Sequence, residues 1–326
     1  MPKRASIPAV HQIQWIEDAS LERAPGAGEV ALEPLAVGIC GSDLHVFENE
    51  HPFVTLPVLP GHEVAGRVTA IGANVDASWL GAMVALEPNV TCGQCKNCRR
   101  GRYNICDKLE VMGFQTPGAM GERFVTPVSR LHRLPANLEP EVGAMIEPLA
   151  VAVHAVRMVN VTGQDVAVLG AGTIGLLVAQ VARAYGAASV RVVDLLESRR
   201  AIATRLGLNA TEPNEDKFDV ILECVGSGRV LAAAIESCHK GGEIVVIGVY
   251  GQPATIPAKL IQDWELTLRG TLMYTSQDYV EAIRLLEHKL VNTEPLITHR
   301  FKLSEVEQGF HQALKRDVAL KVMLLA

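Results

Sequence analysis

Four of the chain's seven cysteines fall within fifteen positions, Cys92, Cys95, Cys98 and Cys106, in the stretch TCGQCKNCRRGRYNIC. Their spacing is C-x2-C-x2-C-x7-C, and the residues between are rich in Gly, Asn, Lys and Arg. Such a loop can wrap one tetrahedral zinc with metal–sulfur bonds of about 2.3 Å. A ferredoxin-type loop would place its fourth cysteine three residues after the third and follow it with Pro, whereas here the gap is seven and Asp107 follows. A thioredoxin-like pair needs only one C-x-x-C beside a strand-helix unit. Four thiolates close a zinc site, so this loop is expected to hold a structural metal and to do no Lewis-acid chemistry.

A second chemistry-bearing stretch is DVAVLGAGTIGLLVAQVARAYGAASVRVVDLLESRR. Val166 to Leu169 reads as a buried strand and is followed by Gly170, Gly172 and Gly175 in the order G-x-G-x-x-G. Thr173 and Ile174 open a helix whose apolar face recurs through Leu177, Val178, Val181, Ala182 and Tyr185. A second strand, Ser189 to Val193, ends at Asp194. This is the dinucleotide fingerprint: Gly170 for the tight turn, Gly172 for approach of the pyrophosphate, Gly175 for helix-strand packing, and a helix N-terminus that attracts the phosphates. Asp194 can accept both ribose hydroxyls and repel a 2'-phosphate, which points to NAD. Arg199 is counted with the cofactor residues, and Arg200 lies beside it.

The elements that must position these groups follow from pattern and composition. A chain of 326 residues, 48% hydrophobic, predicts about two domains with real cores. A formal charge of -6 without basic runs excludes a nucleic-acid footprint. No apolar run reaches the roughly 18 residues of a membrane span, and MPKRASIPAVHQIQW lacks the apolar core of a secretory signal. A cytoplasmic protein with a small-molecule partner is expected. Further buried strands are predicted at Phe218 to Gly226, Gly241 to Gly248 and within ELTLRGTLMY, with helices over Val230 to Cys238 and SQDYVEAIRLLEHKL. Cys224 and Cys238 then fall in packed elements. The N-terminal part, with GEVALEPLAVGIC, EVAGRVTAIG and AMVALEP, is Val-rich and broken by Gly and Pro, as antiparallel β structure requires.

Within that β-rich part stand GICGSDLH, which supplies Cys40, Ser42, Asp43 and His45, and PGHEVAGRV, which supplies His62 and Glu63; EPLAVAVHA begins at Glu147. Together with the cysteine lobe and GAGTIG, in this order, they make nearly the whole chain resemble the zinc-dependent medium-chain dehydrogenases, and among them the sorbitol and polyol dehydrogenase branch. The lobe is retained as it is in the alcohol and threonine dehydrogenases. The resemblance implies an α/β protein of three parts. Residues 1–149 would be a GroES-like β-rich catalytic domain carrying the structural-zinc lobe (about 91–107). Residues 150–290 would be a Rossmann NAD-binding domain with a doubly wound parallel sheet, and residues 291–326 a segment returning to the catalytic domain through a helix over about Glu305 to Lys315 and a last strand. It also implies two zincs per chain and an active site in the cleft between the domains. The second zinc would be bound by Cys40, His62 and Glu63, with Glu147 at or near the metal. Ser42 and His45 would form a hydroxyl-to-imidazole proton relay, and the chain would assemble as a homodimer or homotetramer. One thiolate, one imidazole and one carboxylate do leave zinc an open position for chemistry.

The implied reaction is hydride transfer between NAD and a secondary alcohol with a neighbouring hydroxyl: a polyol, vicinal diol or cyclitol. Glu63 and Glu147 are expected to accept hydrogen bonds from the extra hydroxyls. L-Threonine is the competing substrate, and a non-catalytic NAD-binding redox regulator, with the lobe as its sensor, is the competing class.

Overall fold

Runs of β-branched residues buried on both faces cannot alternate, and in the computed structural model, which describes residues 1–326, they pair in parallel. Residues Pro148–Leu296 form one compact unit. Its sheet has the spatial order Asn209–Thr211, Ser189–Val193, Asp165–Leu169, Phe218–Glu223, Cys238–Val246 and Thr267–Gly270. All five pairings are parallel. The order reverses beside Asp165–Leu169, the strand that leads into the glycine turn, which is where a doubly wound sheet opens a crevice for a ligand.

Two predicted boundaries move. The helix expected over Val230 to Cys238 runs Gly228–Glu236, and the strand expected from Gly241 begins at Cys238. Cys238 is fully buried among Phe218, Ile221, Ile235 and Ile244, and it takes Phe218 as its strand partner before the register shifts. Burial of one small apolar residue therefore extends the strand backwards through two glycines. The α-helix Ser276–Glu287 starts with Thr275 as its cap, and the Asp278 carboxylate accepts the Thr275 N–H in return.

Met1–Glu147 and Ile297–Ala326 form the other unit. Its main sheet runs Ile297–Lys302, Lys321–Leu325, Glu29–Ile39, Glu63–Ile71, Met83–Leu86 and Leu131–Arg133, and Phe124–Pro127 also pairs with Glu29–Ile39. The chain's last strand lies antiparallel to Glu29–Ile39 with Val322 opposite Ile39, and Glu29–Ile39 in turn sets Gly38 opposite Glu63. Val30, Leu32, Val37, Val64, Val84, Phe310 and Leu324 fill the core. The helix expected over about Glu305 to Lys315 is Val306–Ala313. No helix of the structure is long and apolar enough to cross a membrane.

Candidate active site

Register brings three strand ends to one place. Ile39 is followed by Cys40, Glu63 is preceded by His62, and Lys321 opens the strand on the other side of Glu29–Ile39. Cys40, His62 and Glu63 present sulfur, nitrogen and oxygen within 4.8 Å of one another, with His62 and Glu63 buried. A side chain at Gly38 would put its Cβ onto Glu63 Oε2, so glycine is what lets that carboxylate lie across the middle strand.

Cys40 also caps the helix Gly41–Phe47, whose Asp43 accepts the Cys40 N–H at 3.0 Å. The other Asp43 oxygen stands 3.6 Å from His62 Nδ1, too long for a hydrogen bond but a close ionic contact in a buried place. It sets a negative charge at that edge of the ring, so the second ring nitrogen is the one left for a metal. Neither Asp43 Oδ1 nor His62 Nδ1 has a hydrogen-bond partner. Burial opposes protonation of His62, yet the charges of Asp43, Cys40 and Glu147 hold its pKa well above the ordinary imidazole value. Burial pushes the Asp43 carboxyl up, partly offset by His62. Cys40, His62 and Glu63 offer one soft, one borderline and one hard donor within 4.8 Å of one another, a set that suits zinc. The residues fit the metal.

Glu147, in the first turn of the helix Ile146–Val156, is buried and lies outside the three-donor set, but its charge is felt at both His62 and Lys321. Ser42 and His45 sit three apart on the helix Gly41–Phe47, so they share a face, and both are half-buried. Phe114 stacks against His62 with ring centroids 4.9 Å apart and against His51 at 5.3 Å, an aromatic wall beside the site that the sequence did not reveal.

Lys321 is a second residue that the sequence reading missed. Its Nζ donates to Glu63 Oε1 at 2.6 Å, to Glu63 Oε2 at 2.5 Å and to the Ile39 carbonyl at 3.1 Å, with both side chains almost wholly buried. The signal was present: one lysine in the apolar run ALKVMLL. The pairing also corrects an expectation, since Glu63 already accepts from Lys321 through both oxygens and is poorly placed to serve substrate hydroxyls as well.

In the lobe, the Cys92 and Cys106 sulfurs are 3.4 Å apart and those of Cys92 and Cys98 3.9 Å. Four sulfurs on one zinc at about 2.3 Å stand about 3.8 Å apart, whereas a disulfide is about 2.05 Å. All four thiols are free and mutually within 4.8 Å. Backbone N–H groups of Gln94 and Cys95 point at Cys92 Sγ and bring its pKa down to about 6. Buried Glu87 ties the lobe to its sheet, accepting from Tyr103 and Arg130 and bonding the His132 ring, while Arg130 reaches Thr91.

In the nucleotide unit, Gly170 turns with φ 99°, a Cβ on Gly175 would strike the Gly170 carbonyl, and the space a Cβ would take at Gly172 is open. Thr173 and Ile174 begin the helix Thr173–Ala184. Asp194 follows its strand as expected, but its carboxylate also organises the loop: Oδ2 accepts the Ala171 N–H at 2.7 Å and Oδ1 the Leu196 N–H at 2.8 Å. Arg199 lies 3.8 Å from Asp194, and Arg200 binds the Asp194 and Leu195 carbonyls and Glu212. Glu223, unforeseen and fully buried, accepts the N–H groups of Val225 and Gly226 and the Tyr250 hydroxyl, fixing loops at the strand ends that face a ligand.

Comparison with known proteins decides the family. Residues 26–136 match the alcohol dehydrogenase GroES-like domain, and residues 173–288 match the zinc-binding dehydrogenase domain. Sorbitol dehydrogenase of Pongo abelii is 36% identical over 323 residues, covering 92% of this chain and 89% of that protein. The chain belongs to the zinc-dependent medium-chain dehydrogenases, in their polyol dehydrogenase branch. L-Threonine 3-dehydrogenase of Pyrococcus horikoshii is 34% identical over 306 residues, 88% of each chain. An alcohol dehydrogenase from E. coli CFT073, solved with NADH, superposes on all of this chain and 99% of its own with a TM-score of 0.93 and 28% identity. The family's GroES-like and Rossmann folds are those of the two units, and an enzyme takes precedence over the redox-regulator alternative.

Proposed function

We propose that the protein oxidises a secondary alcohol bearing a neighbouring hydroxyl to the ketone, with NAD as partner, at a zinc held by Cys40, His62 and Glu63. The observation that carries this is the convergence of those three donors at one sheet end, in a chain whose other unit has the dinucleotide-binding strand order. When bound there, zinc would supply Lewis acidity for the alcohol oxygen and NAD would supply the hydride acceptor. Asp43 fixes the His62 ring, and Glu147 carries the acceptor role toward a substrate hydroxyl that Lys321 denies to Glu63. Ser42 takes the alcohol proton as it gives its own to His45, one turn on, and His45 passes a proton to water. Cys92, Cys95, Cys98 and Cys106 hold the second, structural zinc. A cytoplasmic homodimer or homotetramer is the setting that fits the branch. Comparison of kcat/KM with NAD across polyols, diols, L-threonine and ethanol tests the substrate class.

Ser42→Ala is expected to lower kcat by about 10²-fold while changing the NAD Kd less than about twofold, because a positioned proton acceptor contributes about 10² to 10⁴ to rate. Stopped-flow NADH formation with a deuterated alcohol, to show that hydride transfer limits, checks it; an unchanged chemical step rejects the relay.

Asp194→Ala should raise the NADP-to-NAD ratio of kcat/KM at least about tenfold, since repulsion of a 2'-phosphate is lost and Arg199 is released toward it. The same change removes the acceptor of the part-buried Ala171 N–H, so the unit should also lose about 1 kcal/mol of stability. Parallel kinetics with both cofactors and a denaturant titration read the two effects, and an unmoved ratio places Asp194 away from the ribose.

A further inference from the structure

Lys321 is a cation buried at a site made for a cation. Its side chain rises from the chain's last strand, passes the end of Glu29–Ile39, where Gly38 offers no side chain, and closes on both oxygens of Glu63. Its third bond goes to the carbonyl of Ile39, the residue before Cys40. One ammonium thus touches the carboxylate of one metal ligand and the backbone leading to another. A lysine serving only the fold would have little reason to be here, because a buried ion pair seldom stabilises more than apolar side chains of the same volume would.

Building on the zinc site proposed above, we propose that Lys321 is a positioning residue of the metal centre: it shares Glu63 with the zinc, weakens that carboxylate as a donor, and so keeps the bound metal electron-poor and exchangeable. Two cations on one carboxylate repel each other, so lysine and zinc are coupled antagonistically, and by linkage removal of either strengthens the hold of the other. Without Lys321, Glu63 gives its full charge to the metal. The metal-free protein then contains a buried, unpaired carboxylate and is destabilised, while the zinc-loaded protein is not. A purely structural lysine has the opposite signature, since losing it loosens the ligand set and zinc binds more weakly.

The test is zinc affinity of the full-length protein at pH 8, by competition with a chromophoric chelator, in wild type, Lys321→Met, Lys321→Arg, Glu63→Gln and Glu63→Gln/Lys321→Met. Loss of one binding step in His62→Ala identifies the step that belongs to this centre. Lys321→Met is expected to bind that zinc at least about tenfold more tightly and to unfold at a lower temperature when metal-free. Lys321→Arg should stay within about threefold of wild type, and the Lys321→Met effect should vanish in the Glu63→Gln background. Should Lys321→Met fail to fold, Lys321→Gln, which keeps a donor and drops the charge, carries the same expectation. Unchanged or weaker zinc binding, or the same tightening without Glu63, overturns the role of Lys321. A wild-type protein with a single zinc step, untouched by His62→Ala, overturns the metal centre itself.

Discussion

Cys95→Ser is expected to remove one zinc per chain and to lower the thermal midpoint by about 10 °C or more, with the catalytic ligands chemically intact. The magnitude follows from what the lobe lacks. Between Cys92 and Cys106 there are only a four-residue helix, Lys96–Arg99, and a single 3-10 turn, Tyr103–Ile105, with Asn104 the one buried residue between those cysteines. A segment with so little apolar burial relies on metal binding for its order, and structural zinc contributes folding free energy outright. Serine is a poor zinc ligand, and three thiolates drawn together without a cation repel one another. Because Glu87 links the lobe to the sheet through Tyr103, Arg130 and His132, disorder should spread to that edge. Metal analysis with differential scanning calorimetry checks it; full zinc content in the variant would show that the four cysteines are not a metal site.

His62→Ala should remove the other zinc and lower kcat/KM by at least about 10³-fold, leaving NAD binding in place. His62 is the one imidazole among the three donors, and its removal leaves a buried cavity beside Phe114 and Asp43 rather than a substitute ligand. Lewis-acid activation is worth several kcal/mol, and about 4 kcal/mol corresponds to about 10³ in rate. Equilibrium titration with NADH, followed by fluorescence, should give a Kd within about threefold of wild type, since the glycine turn and Asp194 lie in the other unit. Two zincs per chain with normal turnover in this variant would remove His62 from the centre.

The parts of this protein that its sequence disclosed are those whose logic is local. The cysteine lobe closes within fifteen residues and the nucleotide turn within six, so spacing alone carries their geometry. Cys40, His62 and Glu63 needed the likeness to a family, because their approach depends on which strands pair and in what register. Lys321 escaped for the same reason in stronger form: it lies 258 positions from Glu63, and nothing short of the order Lys321–Leu325, Glu29–Ile39, Glu63–Ile71 brings the two together. Asp43 and Glu223 look like ordinary helix and strand charges until burial is known. Much of their work is done on backbone N–H groups, for which a sequence has no symbol.

The central claim is that these residues oxidise an alcohol with a neighbouring hydroxyl. It is tested most directly by kcat/KM with NAD for sorbitol, xylitol, 2,3-butanediol, myo-inositol, L-threonine and ethanol, measured side by side with the two-zinc protein. A site whose buried acceptors pair substrate hydroxyls discriminates against analogues that lack them, so at least one polyol, diol or cyclitol should exceed both threonine and ethanol by more than about tenfold, or about 1.4 kcal/mol in transition-state binding. If threonine or ethanol exceeds every polyol and diol by that margin, the site is not built for an alcohol with a neighbouring hydroxyl.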